Sequence, residues 1–316
     1  MAVAEPYTPE GTAARRRWRP GGGADIPGRA RGLRRAAGRA RKRDIAAASL
    51  LVLITLIALL APVLAPYSTI QPVGLPQLPP GSSGFLLGTD AIGRDVLSRV
   101  LIGWRSSWFA ALAVIASGLF IGGLIGLAAG TLGGTTDSVL MRITDGFLAL
   151  PAPVLAIAVV AALGPGFVHT LIAVAIVWWP FYARIVRGEI RGLRARPHVE
   201  AARLAGAGRL RIAVRHLLPG AIPAAVVTAS LDVGNLVLTL AALSFLGLGQ
   251  PQPAAELGAD TARNLPYLLQ EWWIPVMPGL AVMIMALASN VAGDGVRNLL
   301  GARQGCSPST LSLIHI

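Results

Sequence analysis

The chain has 316 residues, of which 54% are hydrophobic and 14% are charged, and its mean hydropathy is +0.62. This composition excludes an ordinary soluble domain and favours a protein that crosses a membrane several times. The formal net charge is +13, but most basic residues are grouped beside apolar stretches, which favours membrane topology over nucleic-acid binding.

Residues 1–44 form a basic tail that is rich in Arg, Gly, Ala and Pro. A segment with so few large apolar side chains buries too little surface to offset the loss of chain entropy, so we expect it to be disordered. Its position before the first apolar stretch favours a topological anchor in the cytoplasm. Attraction to anionic membrane lipid is the alternative function of this tail.

Six apolar stretches follow, each long enough to cross a bilayer core of about 30 Å. They lie at about 45–64, 107–131, 144–163, 167–186, 219–247 and 272–294. The third and fourth stretches belong to one uncharged run that Gly164-Pro165-Gly166 divides, which predicts a hairpin. The predicted fold class is an all-α integral membrane protein with six transmembrane helices.

The distribution of basic residues predicts which side of the membrane the ends of the chain face. If the tail is cytoplasmic, 24 of the 28 Lys and Arg residues lie in or beside cytoplasmic segments. The other four, all external, are Arg94, Arg99, Arg105 and Arg263. Because cytoplasmic loops carry an excess of basic residues, both termini are predicted to be cytoplasmic.

The segment before the second span ends in LGTDAIGRDVLSRVL, residues 87–101. Its apolar residues share one helical face, which predicts an interfacial helix that leads into the span. Asp95 and Arg99 are spaced for an i, i+4 ion pair. Thr89 and Asp90 are predicted to cap the helix at its N-terminus.

Residues 198–219 form a basic, interrupted helical pattern between the fourth and fifth spans. A first helix is predicted to break at Gly206-Ala207-Gly208, and a second helix is predicted to stop at Pro219. Small residues, Ala201 and Ala202 among them, leave the backbone open to close approach by another protein surface. The alternative is that Ala and Gly are simply abundant in this chain.

Asp232 lies near the middle of the fifth span, where a charge costs about 2.5–3.5 kcal/mol on insertion scales. We therefore expect it to face the bundle interior or water. One interpretation is that it lines a path, together with Asn235, or contacts a cationic group on the cargo. The alternative is a carboxylate that is bonded locally, near that asparagine, or is protonated. A path-lining acid also leaves open a secondary carrier in which Asp232 relays an ion or proton, although we find no internal repeat of the kind that carriers show.

Four tryptophans occur near predicted span ends and are interpreted as interfacial anchors: Trp178, Trp179, Trp272 and Trp273. No metal site is predicted, because His169 and His198 have no nearby metal-ligand companions. The single cysteine, Cys306, excludes an internal disulfide and a metal centre built on several cysteines.

Several motifs resemble those of one family of transporters. EAA at 200–202, Gly206 and HLLP at 216–219 resemble the coupling motif of type I ABC importer permeases. Four further motifs resemble, more narrowly, the C-type permease subunit of dipeptide, oligopeptide and nickel importers: GTDAIGRDVLSR at 88–99, YARIVRGEI at 182–190, LSFLGLG at 243–249 and NVAGDGVRNLL at 290–300. The resemblance covers about residues 44–301, with the motifs in the family's order.

The resemblance implies a permease fold of the type I importer class in which residues 198–219, the coupling segment, dock on a separate ATPase subunit. The residues implied to make this contact are Glu200, Ala201, Ala202, Gly206, Leu218 and Pro219. ATP and Mg²⁺ would bind to that partner, and this chain would be non-catalytic. The sequence agrees independently, because a Walker A loop needs Gly-Lys and the one lysine, Lys42, follows Arg41.

The partners implied by the resemblance are a B-type permease subunit, two ATPase subunits and an extracytoplasmic solute-binding protein, assembled in a bacterial inner membrane. The cargo that it favours is a di- or oligopeptide, ahead of nickel, opines and glutathione-like peptides. Gly220, Leu240 and the absence of a PSWG-like motif around 252–258 depart from the family pattern and leave the cargo open.

Residues 302–316 are expected to be a tail beyond the permease domain of residues 45–301. The last six residues, LSLIHI, resemble one reading frame of a transposase-end adapter used in DNA sequencing libraries. We therefore expect them to be an artefact rather than native sequence.

Overall fold

The computed structural model of the protein describes residues 27–304, with side chains described from residue 42 to residue 300. This part of the chain forms ten α-helices: α1 Pro27–Leu64, α2 Val96–Leu132, α3 Gly134–Leu148, α4 Ala152–Leu163, α5 Phe167–Arg194, α6 Pro197–Leu204, α7 Arg209–Ile212, α8 Leu218–Phe245, α9 Leu257–Arg263 and α10 Trp273–Gln304. A π-helical turn, Ala213–Leu217, joins α7 to α8, and a 3₁₀ turn, Leu265–Tyr267, follows α9.

Within residues 27–304, five helical segments are long and apolar enough to cross a membrane: Lys42–Leu64, Val96–Leu132, Phe167–Arg194, Arg209–Phe245 and Trp273–Leu300. A sixth crossing is formed if α3 and α4, which are bent by 86° relative to each other, count as one span. This architecture confirms the predicted fold class of an all-α membrane protein.

The predicted third span, 144–163, is wrong as a single continuous helix. The chain bends between α3 and α4, and Pro151 lies at the start of α4. Proline disfavours the helical conformation in the residue before it and cannot donate a helix hydrogen bond, which explains the bend. The remaining apolar helix α4 has 12 residues, so at about 18 Å it is shorter than a bilayer core.

The described part of the predicted disordered tail, residues 27–44, is helical, so the prediction of disorder is wrong for these residues. α1 begins at Pro27 and includes residues 27–44, where Ala and Arg dominate. Both are strong helix formers, and proline is favourable at the first helical position. Residues 1–26 of the tail and residues 305–316, with the LSLIHI end, lie outside the described residues.

α2 packs on α5 along a row of glycines that the sequence analysis did not single out. The row is spaced by four residues on one face of α2 and consists of Gly118, Gly122, Gly126 and Gly130, all buried. A Cβ atom added at Gly126 would lie 2.5 Å from the carbonyl oxygen of Ala183 on α5. Small residues at this spacing allow two membrane helices to approach closely, so the row sets the distance between α2 and α5.

Candidate coupling segment and transport site

The first half of the coupling segment is a short helix that ends in a tight turn. α6 terminates in a Schellman motif, in which the N–H of Gly206 donates to the carbonyl of Arg203 (3.0 Å) and the N–H of Ala207 donates to the carbonyl of Ala202 (3.1 Å). Gly206 has a φ of +80°, a left-handed conformation that glycine adopts at little steric cost. The helix break predicted at Gly206 is therefore present.

The second half of the segment differs from the prediction at Pro219. The helix that starts at Arg209 continues to Phe245, so Pro219 lies within a span and does not end a helix. A proline inside an α-helix lacks an N–H and clashes with the carbonyl four residues earlier. The π-helical turn at Ala213–Leu217 changes the hydrogen-bond pattern just before Pro219, which allows the helix to pass through it.

A buried apolar cluster anchors the coupling segment to two spans. Its members come from the end of α5, from α6 and α7, from the π-helical turn and from the start of α8: Val186, Ile190, Leu193, Val199, Ile212, Leu217 and Ala221. Val199 is the one buried residue of α6. Because this cluster is continuous from α6 to α5 and α8, it attaches the coupling segment to both spans.

Much of the remaining surface of the coupling segment is exposed, and it carries three exposed large apolar side chains. Leu204 is 85% exposed and Leu210 is 78% exposed, one on each side of the turn, and Val214 is 53% exposed. The predicted contact residues are exposed at Glu200, Ala201, Gly206 and Pro219 and partly buried at Ala202 and Leu218. Exposed leucines among arginines and small residues are typical of a surface that contacts another protein.

Asp232 is buried inside the bundle, where it joins α8 to α5. Its exposed fraction is 6%, and its carboxylate accepts hydrogen bonds from Trp178 Nε1 and, at 3.0 Å, from Tyr182 Oη. The local bonding considered for Asp232 is therefore present, and its partners include two side chains on α5. Trp178 lies in the helix interior, so its interpretation as an interfacial anchor is wrong, whereas Asn235 is exposed.

The opposite end of α2 is closed by a charged cap, which we define as residues 65–99 and 248–272. Arg99 donates to both carboxylate oxygens of Asp260, at 2.6 and 3.1 Å. It also donates to three carbonyl oxygens, those of Thr69, Pro253 and Ala254. One buried guanidinium thus connects the chain after α1, the loop after α8, and α9.

The predicted ion pair between Asp95 and Arg99 is wrong. Asp95 is instead the N-cap of α2, where it accepts hydrogen bonds from the backbone N–H of Ser98 (2.8 Å) and its hydroxyl (2.6 Å). The i, i+4 pair of this stretch joins Arg94 to Asp90, at 2.6 Å. A capping carboxylate turns towards the first-turn N–H groups, which leaves Arg99 free for Asp260.

The start of α2 also differs from the prediction. Because α2 begins at Val96, residues 87–95 form a loop, and the predicted interfacial helix at 87–101 is wrong. Thr89 does not cap a helix either. Its hydroxyl accepts from the N–H of Leu78 (2.8 Å) and donates to the carbonyl of Leu75 (2.7 Å), so it fixes the loop against the preceding segment.

Glu256 occupies the other part of the charged cap, beneath the loop that follows α8. Its carboxylate accepts hydrogen bonds from Ser244 Oγ and, at 2.6 Å, from the backbone N–H of Gln250. Burial raises the pKa of Glu256 above its ordinary value, and these hydrogen bonds oppose that rise. Ser244 belongs to LSFLGLG, so this motif helps to hold the loop in place.

The helices at the coupling end are further joined by ion pairs between α3 and α5. Arg187 contacts the buried Asp137, with Nη2 2.7 Å from Oδ2, and Arg191 lies 3.5 Å from the same carboxylate. Arg184 pairs with Asp145 at 2.5 Å, with both side chains more than half exposed. Arg184 and Arg187 both lie in YARIVRGEI, so this motif attaches α5 to α3.

Residues 122–305 match the family described as "Binding-protein-dependent transport system inner membrane component". The chain belongs to this family. The protein is therefore a membrane-spanning permease of an ABC transporter.

Two relatives of the permease resemble it over most of their length. It is 40% identical to the "Probable D,D-dipeptide transport system permease protein" of Escherichia coli strain K12, over 83% of this chain and 88% of the relative. It is 41% identical to the di/tripeptide transport system permease protein of Pseudomonas aeruginosa strain UCBPP-PA14, over 79% of this chain and 84% of the relative.

A solved structure of an inward-facing methionine ABC transporter matches the permease with a TM-score of 0.50 and 20% sequence identity. The match covers 64% of this chain and 96% of the other. At this identity the likeness establishes the type I importer permease fold and nothing about the cargo.

Proposed function

We propose that the permease forms half of the translocation path of an ATP-driven importer and that the coupling segment docks on a separate ATPase subunit. The observation that carries the proposal is the exposure of Leu204 and Leu210 on a segment that Val199 and Ile212 anchor to two spans. An ATPase that binds the exposed face would move α5 and α8 through the buried cluster. Glu200 and Gly206 lie on the same exposed stretch.

Energy in this scheme comes from the partner. ATP and Mg²⁺ bind to two ATPase subunits, a B-type permease supplies the other half of the path, and an extracytoplasmic binding protein delivers the cargo. The non-catalytic assignment of this chain is supported by the family and by the position of its one lysine, Lys42, after Arg41.

The docking assignment is tested with Leu204→Asp in the assembled complex. A charge at the centre of an apolar contact is expected to reduce substrate-stimulated ATP hydrolysis about tenfold, the equivalent of roughly 1.4 kcal/mol of lost contact. Leu204→Met is the matched control, because it preserves apolar volume and should retain the stimulation. Full stimulation in Leu204→Asp would remove the assignment.

The proposed cargo is a di- or oligopeptide. The two relatives are named for D,D-dipeptide and di/tripeptide transport. The test is uptake of radiolabelled dipeptide, oligopeptide and nickel by cells that lack their own importers and express the complete complex. Peptide uptake that is lost when the ATPase subunits are absent supports the proposal. Uptake of nickel without uptake of peptide would contradict it and would identify nickel as the cargo.

We further propose a bacterial inner-membrane location with both termini in the cytoplasm. The support is the distribution of the basic residues, because 24 of the 28 Lys and Arg residues lie in or beside the proposed cytoplasmic segments. The test introduces one cysteine at a time into a Cys306→Ser background. In intact cells a membrane-impermeant maleimide should label Leu269→Cys, whose parent leucine is 96% exposed, and should label Leu204→Cys only after permeabilisation.

A further inference from the structure

A polar pocket of about 330 Å³ lies between the C-terminal end of α2 and the coupling segment. Arg194 from the end of α5, Arg203 from α6 and Arg209 from α7 all line it. No acidic residue contributes to the lining of the pocket.

The three arginines also lack acidic partners elsewhere in the described side chains. The ion pairs of residues 42–300 include none with Arg194, Arg203 or Arg209. Arg194 donates one hydrogen bond, from Nη1 to the carbonyl of Gly130 at 2.8 Å, which fixes its position beside the end of α2. Guanidinium groups that converge without a counter-charge repel one another, and an oxyanion that accepts from several of them removes this repulsion.

Thr131 supplies a second, independent feature of the same pocket. Its hydroxyl oxygen is buried and has no hydrogen-bond partner among the described residues, although Thr131 lines the pocket. Other threonines of this chain, such as Thr144 and Thr228, bond the carbonyl four residues earlier in their helix. A buried hydroxyl without a partner carries a desolvation cost that a ligand in the pocket would offset.

We propose that this pocket binds an oxyanion of the phosphate class and that an anionic lipid head group supplies it. Arginine is suited to phosphate because its planar group donates two parallel hydrogen bonds. The pocket lies where α2 ends and the span Arg209–Phe245 begins, and basic pockets of this kind between membrane helices bind anionic head groups. Leu132, which is 49% exposed, also lines the pocket and offers an apolar contact for an acyl chain.

The pocket thereby gives the coupling segment a contact with the membrane. Arg203 and Arg209 belong to the same segment that is proposed to bind the ATPase, so occupation of the pocket would fix this segment against the end of α2. This inference goes beyond the proposed function and does not depend on the identity of the cargo.

The test is native mass spectrometry of the assembled full-length complex in detergent with added phosphatidylglycerol or phosphatidylcholine. The complex is expected to retain phosphatidylglycerol in preference to phosphatidylcholine. Arg203→Gln combined with Arg209→Gln should lower that retention about tenfold more than a control with the same loss of charge. The control is Arg196→Gln combined with Arg211→Gln, because both arginines are exposed near the pocket but do not line it.

A second variant and a second probe complete the test. Thr131→Val keeps the charge and the shape of the side chain, and the loss of one hydrogen bond should lower retention about threefold to tenfold. Displacement of the lipid by inorganic phosphate in large excess, only in complexes with an intact pocket, would support the oxyanion site. That result would also show that soluble phosphate can supply the oxyanion. Equal losses in the two arginine pairs, or binding of neither lipid nor phosphate, would overturn the proposal.

Discussion

In the charged cap, Arg99 and Asp260 bury their charges against each other, whereas in the coupling segment Arg203 and Arg209 have no carboxylate partner among the described residues. The cap satisfies its own polar groups through contacts that are distant in sequence. The coupling segment exposes leucines and arginines and is anchored only along one buried edge. One end of the bundle is thus closed by its own contacts, whereas the other end presents the surface for which we propose a partner.

The largest effect is expected at Arg99. Arg99→Ala leaves Asp260 buried without its main partner, which should destabilise the protein by about 3–5 kcal/mol. Thermal unfolding of the purified protein in detergent measures this loss. The matched control is Arg184→Ala, which removes an exposed pair and should cost about 0–1 kcal/mol. Equal losses in the two variants would contradict the structural role of the cap.

Gly206 and Gly208 test whether the turn of the coupling segment depends on a left-handed backbone. Neither position has an atom within 4 Å of an added Cβ, but φ is +80° at Gly206 and −66° at Gly208. Gly206→Ala should therefore cost about 1–2 kcal/mol of local stability, and Gly208→Ala should stay within about 0.5 kcal/mol. Amide hydrogen exchange of α6 measures this difference. Similar exchange in both variants would show that the turn does not require glycine.

Tyr182 tests the contact between α5 and α8 inside the bundle. Tyr182→Phe removes one hydrogen bond to the buried Asp232, and such bonds in membrane proteins are worth about 0.6–1.7 kcal/mol. The control is Tyr67→Phe in the cap, which removes a hydroxyl that donates no hydrogen bond among the described residues. The unfolding temperature of this variant should differ less from that of the parent than the unfolding temperature of Tyr182→Phe does. A larger loss in Tyr67→Phe would argue against the role of Asp232 as a link between helices.

The smallest effect is a pH dependence at Glu256. Its folded-state pKa lies above the ordinary value of 4.5, so the folded protein holds this proton more tightly than the unfolded chain does. The resulting stability is fully present below pH 4.5 and is lost as the pH rises through the folded pKa. Glu256→Gln removes this contribution, because an amide can still accept from Gln250 and donate to Ser244. A stability difference between the parent and Glu256→Gln that does not vary with pH would exclude the effect.

The sequence-based predictions succeeded where the signal was local. The helix break at Gly206 and the turn between α4 and α5 follow from glycine and proline at fixed positions. The glycine row of α2 could also have been predicted, because its glycines are spaced by four residues within an apolar helix. Leu204 and Leu210 could have been recognised as apolar residues on a basic segment. The partner of Arg99 had no such signal, because Asp260 lies 161 residues away.

Two predictions were wrong because a local rule competed with another contact. Asp95 and Arg99 fit an i, i+4 pair, but a carboxylate at the N-cap accepts hydrogen bonds from the first turn of the helix. Pro219 fits a helix stop, but a π-helical turn allows the helix to continue through it. The hydrogen-bond donors to Asp232 on α5 had no sequence signal, because Trp178 and Tyr182 lie 54 and 50 residues away.

The amino-acid sequence by itself determined the membrane class, the number of apolar stretches, the family and the position of the interrupted segment, because hydropathy, turn residues and motif order are properties of neighbouring residues. Only the tertiary structure decided that Arg99 joins three segments of the charged cap, that Asp232 binds α5, and that three arginines and Thr131 form one pocket. These contacts join residues far apart in the chain, so they exist only once the packing of the helices has brought them within hydrogen-bond distance.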